Sequence, residues 1–269
     1  MDVALVSSPL TSALKREGPA ASDRVVVVTG AAGAIGSATV QIFLEAGFTV
    51  VGLDRDRSVA FDGRGYRGLV VDLGAQDAVE EAIRIARAAF PGRLAHMVGI
   101  AGGALPADVR TRDDPAELDP GAFGESVYAN LTTQFIVLRA ALPWLREGAG
   151  EDRSVTFVSS FNGLSGWGMP GYSAAKAGIV GMMLALTTPL GRDGIRVNVV
   201  APGTIRTPRT EALWAGEPGH FDDLEATAAL GRLGTPNDVA RSFLALATLL
   251  THVTGHVLVV DGGQSVKRG

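Results

Sequence analysis

The chain has 269 residues, of which 46% are hydrophobic and 19% charged, with a formal net charge of −4 and no cysteine. That length and apolar content suit one large domain with a substantial core. The absence of cysteine excludes disulfides, thiolate catalysis and cysteine-bound zinc, and the mild acidity without a basic block argues against a nucleic-acid partner.

The chain reads as a flexible tail over 1–23 followed by a single dinucleotide-binding and catalytic domain over 24–269. The tail has an acid at Asp2 and no basic stretch ahead of an apolar one, so it does not read as a signal peptide. No apolar run approaches the roughly 18 residues that a membrane span needs, and the simplest location is the cytoplasm. The four histidines show no zinc-protease spacing, and no metal is expected.

The first predicted strand is Val25–Val28. It runs through the glycines of TGAAGAIG (29–36) into a helix over Ala34–Ala46, which Gly47 closes. A second strand follows at Thr49–Leu53. Further short β-branched runs at Leu69–Asp72, Leu94–Ile100, Ser154–Val158, Arg196–Ala201 and His256–Val260 read as strands. Helical spacing lies between them at Gln76–Phe90, Phe123–Arg146, Gly171–Leu190 and Pro236–Leu250. This alternation predicts an α/β fold: a single Rossmann-like doubly wound domain of about seven mostly parallel strands with helices on both faces. Gly103–Gly121 and Thr204 to about Leu230 lack periodicity and read as functional loops.

A glycine-rich turn between a strand and a helix suits a dinucleotide. Helix N–H groups and the dipole attract the pyrophosphate, and glycines let the backbone approach it. Such a site needs an acid about 20 residues on, at the end of the second strand, for the ribose hydroxyls. Asp54 follows Gly36 by 18 residues and ends TVVGLD. Its carboxylate would repel a 2′-phosphate, which favours NAD(H); Arg55 and Arg57 keep NADP(H) open.

GYSAAKAG (171–178) places Tyr172 and Lys176 at i and i+4, on one face of a helix with small residues between them. A free tyrosine titrates near about 10, and a neighbouring ammonium favours its phenolate. The expectation is a phenol made acidic enough by Lys176 to exchange protons at neutral pH.

With these pieces in place the sequence resembles the short-chain dehydrogenase/reductase family, in its Tyr-x-x-x-Lys variety. The resemblance runs from Val25 to Gly263. It rests on TGAAGAIG (29–36), Asp72-Leu73, AGG (101–103), Asn130-Leu131, VSS (158–160), YSAAK (172–176), NVVAPGTIRT (198–207), RLGTPNDVA (232–240) and VTGHVLVVDGG (253–263) in that order. It implies a catalytic set of Asn130, Ser160, Tyr172 and Lys176. Tyr172 would move the substrate proton, Ser160 would hold the substrate oxygen, and Asn130 would hold a water linking Lys176 to solvent. Ser159 competes with Ser160, which is preferred because it stands three before Gly163. The cofactor would meet Gly30, Gly33, Ala34, Ile35, Gly36 and Asp54 at one end. Asp72 and Leu73 would meet the adenine, Ala101 and Gly102 the ribose, and Pro202, Gly203, Ile205 and Thr207 the nicotinamide side. Tyr172 and Lys176 would touch the cofactor as well.

The chain departs from the family pattern in three places. Ala34 replaces the middle glycine of the first motif, Gly99-Ile100-Ala101-Gly102 stands where two asparagines are usual, and the Ser160–Tyr172 interval is one residue short. The loops offer Phe161, Trp167, Met169, Trp214 and Phe221, with Ser160, Phe161, Trp167 and Trp214 taken as substrate-binding. A secondary alcohol or ketone on a hydrophobic, cyclic skeleton is expected. Arg206, Arg209 and His220 would instead suit an acidic substrate. The resemblance also implies a homotetramer or homodimer built on the helices near 123–146 and 171–190 and the last strand. The alternative reading is a non-catalytic dinucleotide-binding sensor, which has no need of the Ser–Tyr–Lys set.

Overall fold

The computed structural model describes residues 23–56, 65–90, 92–148, 150, 152–166, 168–217 and 219–266. Apart from Asp23 the expected tail lies outside the described residues, as do Arg57 and Trp167.

Seven strands form one sheet: β1 (Arg24–Thr29), β2 (Thr49–Asp54), β3 (Tyr66–Val70), β4 (Arg93–Gly99), β5 (Arg153–Val158), β6 (Ile195–Pro202) and β7 (Val257–Val260). Their order is β3-β2-β1-β4-β5-β6-β7, and every neighbouring pair is parallel. β1 shows why the fold is doubly wound. Successive side chains of a strand point to opposite faces. Val25 and Val27 therefore enter one core with Val79, Val137 and Ile179, while Val26 and Val28 enter a second core with Phe43 and Phe243. All four valines are fully buried, as a sheet covered on both sides demands.

The first core is covered by α2 (Gln76–Ala89), α5 (Thr133–Glu147) and α7 (Pro170–Arg192), and the second by α1 (Ala34–Glu45) and α10 (Pro236–Thr248). Thr235 caps α10, accepting a hydrogen bond from the Asp238 N–H. The periodic run over 123–146 is not one helix. It divides into α4 (Pro120–Val127), a π-helical segment over Tyr128–Thr132, and α5. The two aperiodic stretches carry only short helices: α3 (Pro106–Arg110) and a 3-10 turn at Pro115–Glu117 ahead of α4 in the first, and α8 (Pro208–Leu213) and α9 (His220–Thr227) in the second; α6 (Asn162–Ser165) follows β5.

The third strand begins and ends earlier than its apolar run suggests. β3 pairs in register with β2 from Val50↔Tyr66 to Asp54↔Val70. Both strands end together, leaving Asp72 and Leu73 beyond the sheet edge. α7 spans 23 residues and, by length and a mean hydropathy of 1.3, could cross a membrane. It packs on β6 and sinks Lys176, Ile179, Met183 and Leu190 into the protein.

Candidate active site

In a parallel doubly wound sheet, ligands bind beyond the carboxyl ends of the strands, where the strand order reverses. Here that point lies between β1 and β4. A cavity of about 1170 Å³ opens there, running from the β2 end to α8 and α9.

At one end the glycine loop folds back on itself. Gly30 takes a φ of +68°, and a Cβ at Gly36 would stand 1.9 Å from the Gly30 carbonyl oxygen, so only glycine fits there. Gly33 precedes α1 without any side-chain cap, leaving the amides at the start of α1 unanswered by a side chain. Gly30, Gly33, Ala34, Ile35 and Gly36 all line the cavity. Ala34 is accommodated as the first residue of α1. Asp54 lies at the β2 end, where its carboxylate accepts hydrogen bonds from the Ala32 N–H (2.9 Å) and the Asp56 N–H (3.1 Å). Asp72 and Leu73 line the same end, Asp72 turning back to accept from the Gly74 N–H.

Ala101 and Gly102 form the wall at the β4 end. The Thr29 hydroxyl accepts from the Ile100 and Ala101 N–H groups and ties β1 to β4. The missing asparagines have a local counterpart. Gln134, from α5, donates to the Ala101 carbonyl, and its Oε1 occupies the space that a Cβ on residue 99 would need, 2.3 Å away. Gly99 and Gln134 are therefore a matched pair. On the opposite wall Pro202, Gly203, Ile205 and Thr207 line the cavity, and the Thr207 hydroxyl caps α8 through the Thr210 N–H.

Tyr172 and Lys176 share the first turns of α7, with Lys176 Nζ 5.6 Å from the centre of the Tyr172 ring. Lys176 is buried and donates to the Val158 carbonyl at 3.2 Å. The two serines differ. Ser159 donates to the Lys176 carbonyl at 2.7 Å, whereas the Ser160 hydroxyl accepts from the Asn162 N–H at 3.2 Å and shares the cavity wall with Tyr172.

Electrostatics differ from the sequence expectation. Surrounding protein desolvates Tyr172 and pushes its pKa above the ordinary value, against the pull of Ser160 and the Arg209 charge; Asp108 adds a smaller push upward. Burial, helped by Arg209, lowers Lys176 to about 7. Desolvation disfavours the charged form of each group.

Asn130 is fully buried in the π-helical segment. Its Oδ1 accepts from the Gly103 N–H, while Nδ2 donates to the Gly103 and Ser126 carbonyls. The side chain clamps the loop after β4; its neighbours Ala129 and Thr133 reach the cavity. A second anchor has no sequence signal. Asp108, 1% exposed, accepts from the Tyr172 N–H, the Leu105 N–H and the Ser126 hydroxyl.

At the far end Phe161 and Trp214 line the cavity, as does Met169. Trp214 contacts the Arg112 guanidinium (4.8 Å) and the His220 ring (4.2 Å), and Glu217 lies 2.8 Å from Arg112 and 3.4 Å from His220 Nδ1. Phe221 lies under Arg206, which is held by Glu211 and Glu225. Among the described residues no group of His, Asp or Glu is arranged to hold a metal.

A family model described as enoyl-(acyl carrier protein) reductase matches residues 30–265. The chain is 36% identical to an uncharacterized oxidoreductase of Schizosaccharomyces pombe, over 89% of this chain and 90% of that protein. It is 36% identical to cis-4-hydroxycyclohexanecarboxylate dehydrogenase of Sinomonas cyclohexanicum, over 91% and 98%. A crystal structure of a short-chain dehydrogenase/reductase oxidoreductase from Burkholderia thailandensis superposes with a TM-score of 0.81 at 34% identity, covering 91% of this chain and 94% of that one.

The chain belongs to the short-chain dehydrogenase/reductase family. It is an oxidoreductase, of a family that binds nicotinamide dinucleotides. The residues fit such a group. The loop closed on Gly36 lines the cavity without a side-chain cap on its helix, Asp54 lines the same end, where it would meet ribose hydroxyls, and the volume is ample for a dinucleotide.

Proposed function

We propose that this enzyme interconverts a secondary alcohol and a ketone with NAD(H), on a hydrophobic, cyclic skeleton. The observation that carries the reading is that Ser160 and Tyr172 line the same cavity, with Lys176 Nζ 5.6 Å from the centre of the Tyr172 ring. Two hydroxyls on one cavity wall are what a substrate oxygen needs: one to hold it and one to exchange its proton. A bound nicotinamide dinucleotide supplies the hydride acceptor or donor. Tyr172 takes the alcohol proton in oxidation and returns it in reduction. Ser160 fixes the oxygen. Lys176, anchored on Val158, tunes the phenol, and Asn130 supports both by holding the loop at Gly103.

Asp54 supports NAD(H) over NADP(H). Its carboxylate stands at the end of β2 and would repel a 2′-phosphate, and Arg55 faces Asp56 at 3.9 Å. The apolar walls, with Phe161 and Trp214, support the substrate class, as does the relative named for a cyclic hydroxy acid. The exposed Phe123, Phe135 and Leu184 on α4, α5 and α7 support a homotetramer or homodimer.

The test is a panel of cyclic and acyclic alcohols and ketones, followed by nicotinamide absorbance with each cofactor. Turnover of cyclic secondary alcohols with NAD⁺ is expected. Activity confined to small hydrophilic ketones would contradict the substrate class, and none at all would contradict the reaction.

A further inference from the structure

The geometry points to Arg209 as a specificity-determining residue that binds a carboxylate on the substrate, so that the enzyme takes hydroxy and keto acids. This rests on the alcohol–ketone reading above and names the group that accompanies the reacting carbon.

Arg209 leaves α8 and reaches across the cavity to the opposite wall. Its Nη2 donates to the Ala104 carbonyl at 2.8 Å, and Nη1 lies 3.5 Å from the Gly102 carbonyl. Gly103, at φ +134°, makes room for it: a Cβ there would stand 2.8 Å from the guanidinium carbon. The side chain is thus oriented before any ligand arrives.

Its charge is unanswered. The other arginines on the cavity wall face acids, Arg55 with Asp56 and Arg112 with Glu217, and nearby Arg206 is held by Glu211 and Glu225. Among the described residues Arg209 has no carboxylate partner; its hydrogen bonds go to carbonyl oxygens. A guanidinium carries five N–H donors, so two carbonyls leave enough of the fork for a carboxylate. Arg209 lines the same cavity as Ser160, Tyr172 and Lys176, and its charge is felt at both Tyr172 and Lys176. Leu105, Val109, Leu213 and Trp214 make the surrounding wall apolar. An apolar skeleton with one acid group near its hydroxyl answers all of these features. The pyrophosphate of a bound dinucleotide is the other anion that Arg209 would suit.

Calorimetric titration of the full chain with cyclohexanecarboxylate and with cyclohexanecarboxamide, each with and without NADH, distinguishes the two. We expect wild type with NADH to bind the carboxylate on the order of tenfold or more tightly than the amide. Arg209→Leu should abolish that preference, Arg209→Lys should keep part of it, and Arg206→Leu should keep it whole. Equal binding of the two probes by wild type overturns the proposal, as does a preference that survives Arg209→Leu or is lost equally in Arg206→Leu. Loss of NADH affinity in Arg209→Leu, by a similar factor, assigns Arg209 to the pyrophosphate and also overturns it. An Arg209-dependent carboxylate preference in a protein that turns over no alcohol with either cofactor leaves this site standing and sinks the oxidoreduction of alcohols instead.

Discussion

The backbone N–H of Tyr172 donates to the Asp108 carboxylate at 3.1 Å, across 64 positions of sequence. The same side chain accepts from the Ser126 hydroxyl at 2.8 Å and the Leu105 N–H at 2.9 Å. One buried acid therefore joins α3, α4 and the start of α7, and sets where the phenol stands.

Asp108→Ala should lower kcat by about tenfold to a hundredfold, because misplacing a catalytic group by an ångström has effects of that size. It leaves three donors without their acceptor, at a cost of about 1–3 kcal/mol each, so the melting temperature falls as well. A role confined to stability would lower the melting temperature while kcat per folded molecule and the affinity for NADH stayed put. Asp108→Asn, which keeps one acceptor oxygen, should recover part of kcat.

Under the proposed function, Asp54 is the residue that chooses the cofactor. Asp54→Ala removes the carboxylate that accepts from Ala32 and would repel a 2′-phosphate. The ratio of kcat/KM with NAD⁺ to that with NADP⁺ should fall by about tenfold or more, equivalent to roughly 1.4 kcal/mol. Parallel kinetics with both cofactors measure it, and an unchanged ratio contradicts the assignment.

His96 predicts an acid limit on stability. It is fully buried between Phe43 and Phe48, with its ring nitrogens against Ser154 and Arg24. Burial, then the charges of Arg24 and Arg196, push its pKa well below the ordinary 6.5. The unfolded chain binds this proton more readily than the folded one, so stability is full above about pH 6.5 and declines as pH falls toward the lowered folded value. Melting temperatures between about pH 6.5 and 5 should slope downward, and His96→Gln should flatten that slope.

What the sequence made legible was local. The strand of valines, the glycine turn, Asp54 and the Tyr172–Lys176 pair each lie in a short segment whose periodicity or backbone needs speak directly, and the seven parallel strands follow from their alternation. What it hid is carried by contacts between distant segments. Asp108 to Tyr172, Gln134 to Ala101 and Arg209 to Ala104 span 64, 33 and 105 positions, and two of the three begin in loops without periodicity. The sequence placed Asn130 but not its bonds, which run to Gly103 and Ser126. Reasoning from the Lys176 charge alone missed the desolvation of Tyr172, since burial is a property of the packed molecule.

The central claim is that the Tyr172 phenol moves the substrate proton, and Tyr172→Phe tests it most directly. This change deletes one oxygen and keeps the ring beside Lys176. With a cyclic secondary alcohol and NAD⁺, kcat should fall by about a hundredfold to ten-thousandfold, while NADH still binds within about threefold of wild type. A variant that turns over as fast as wild type would contradict the account.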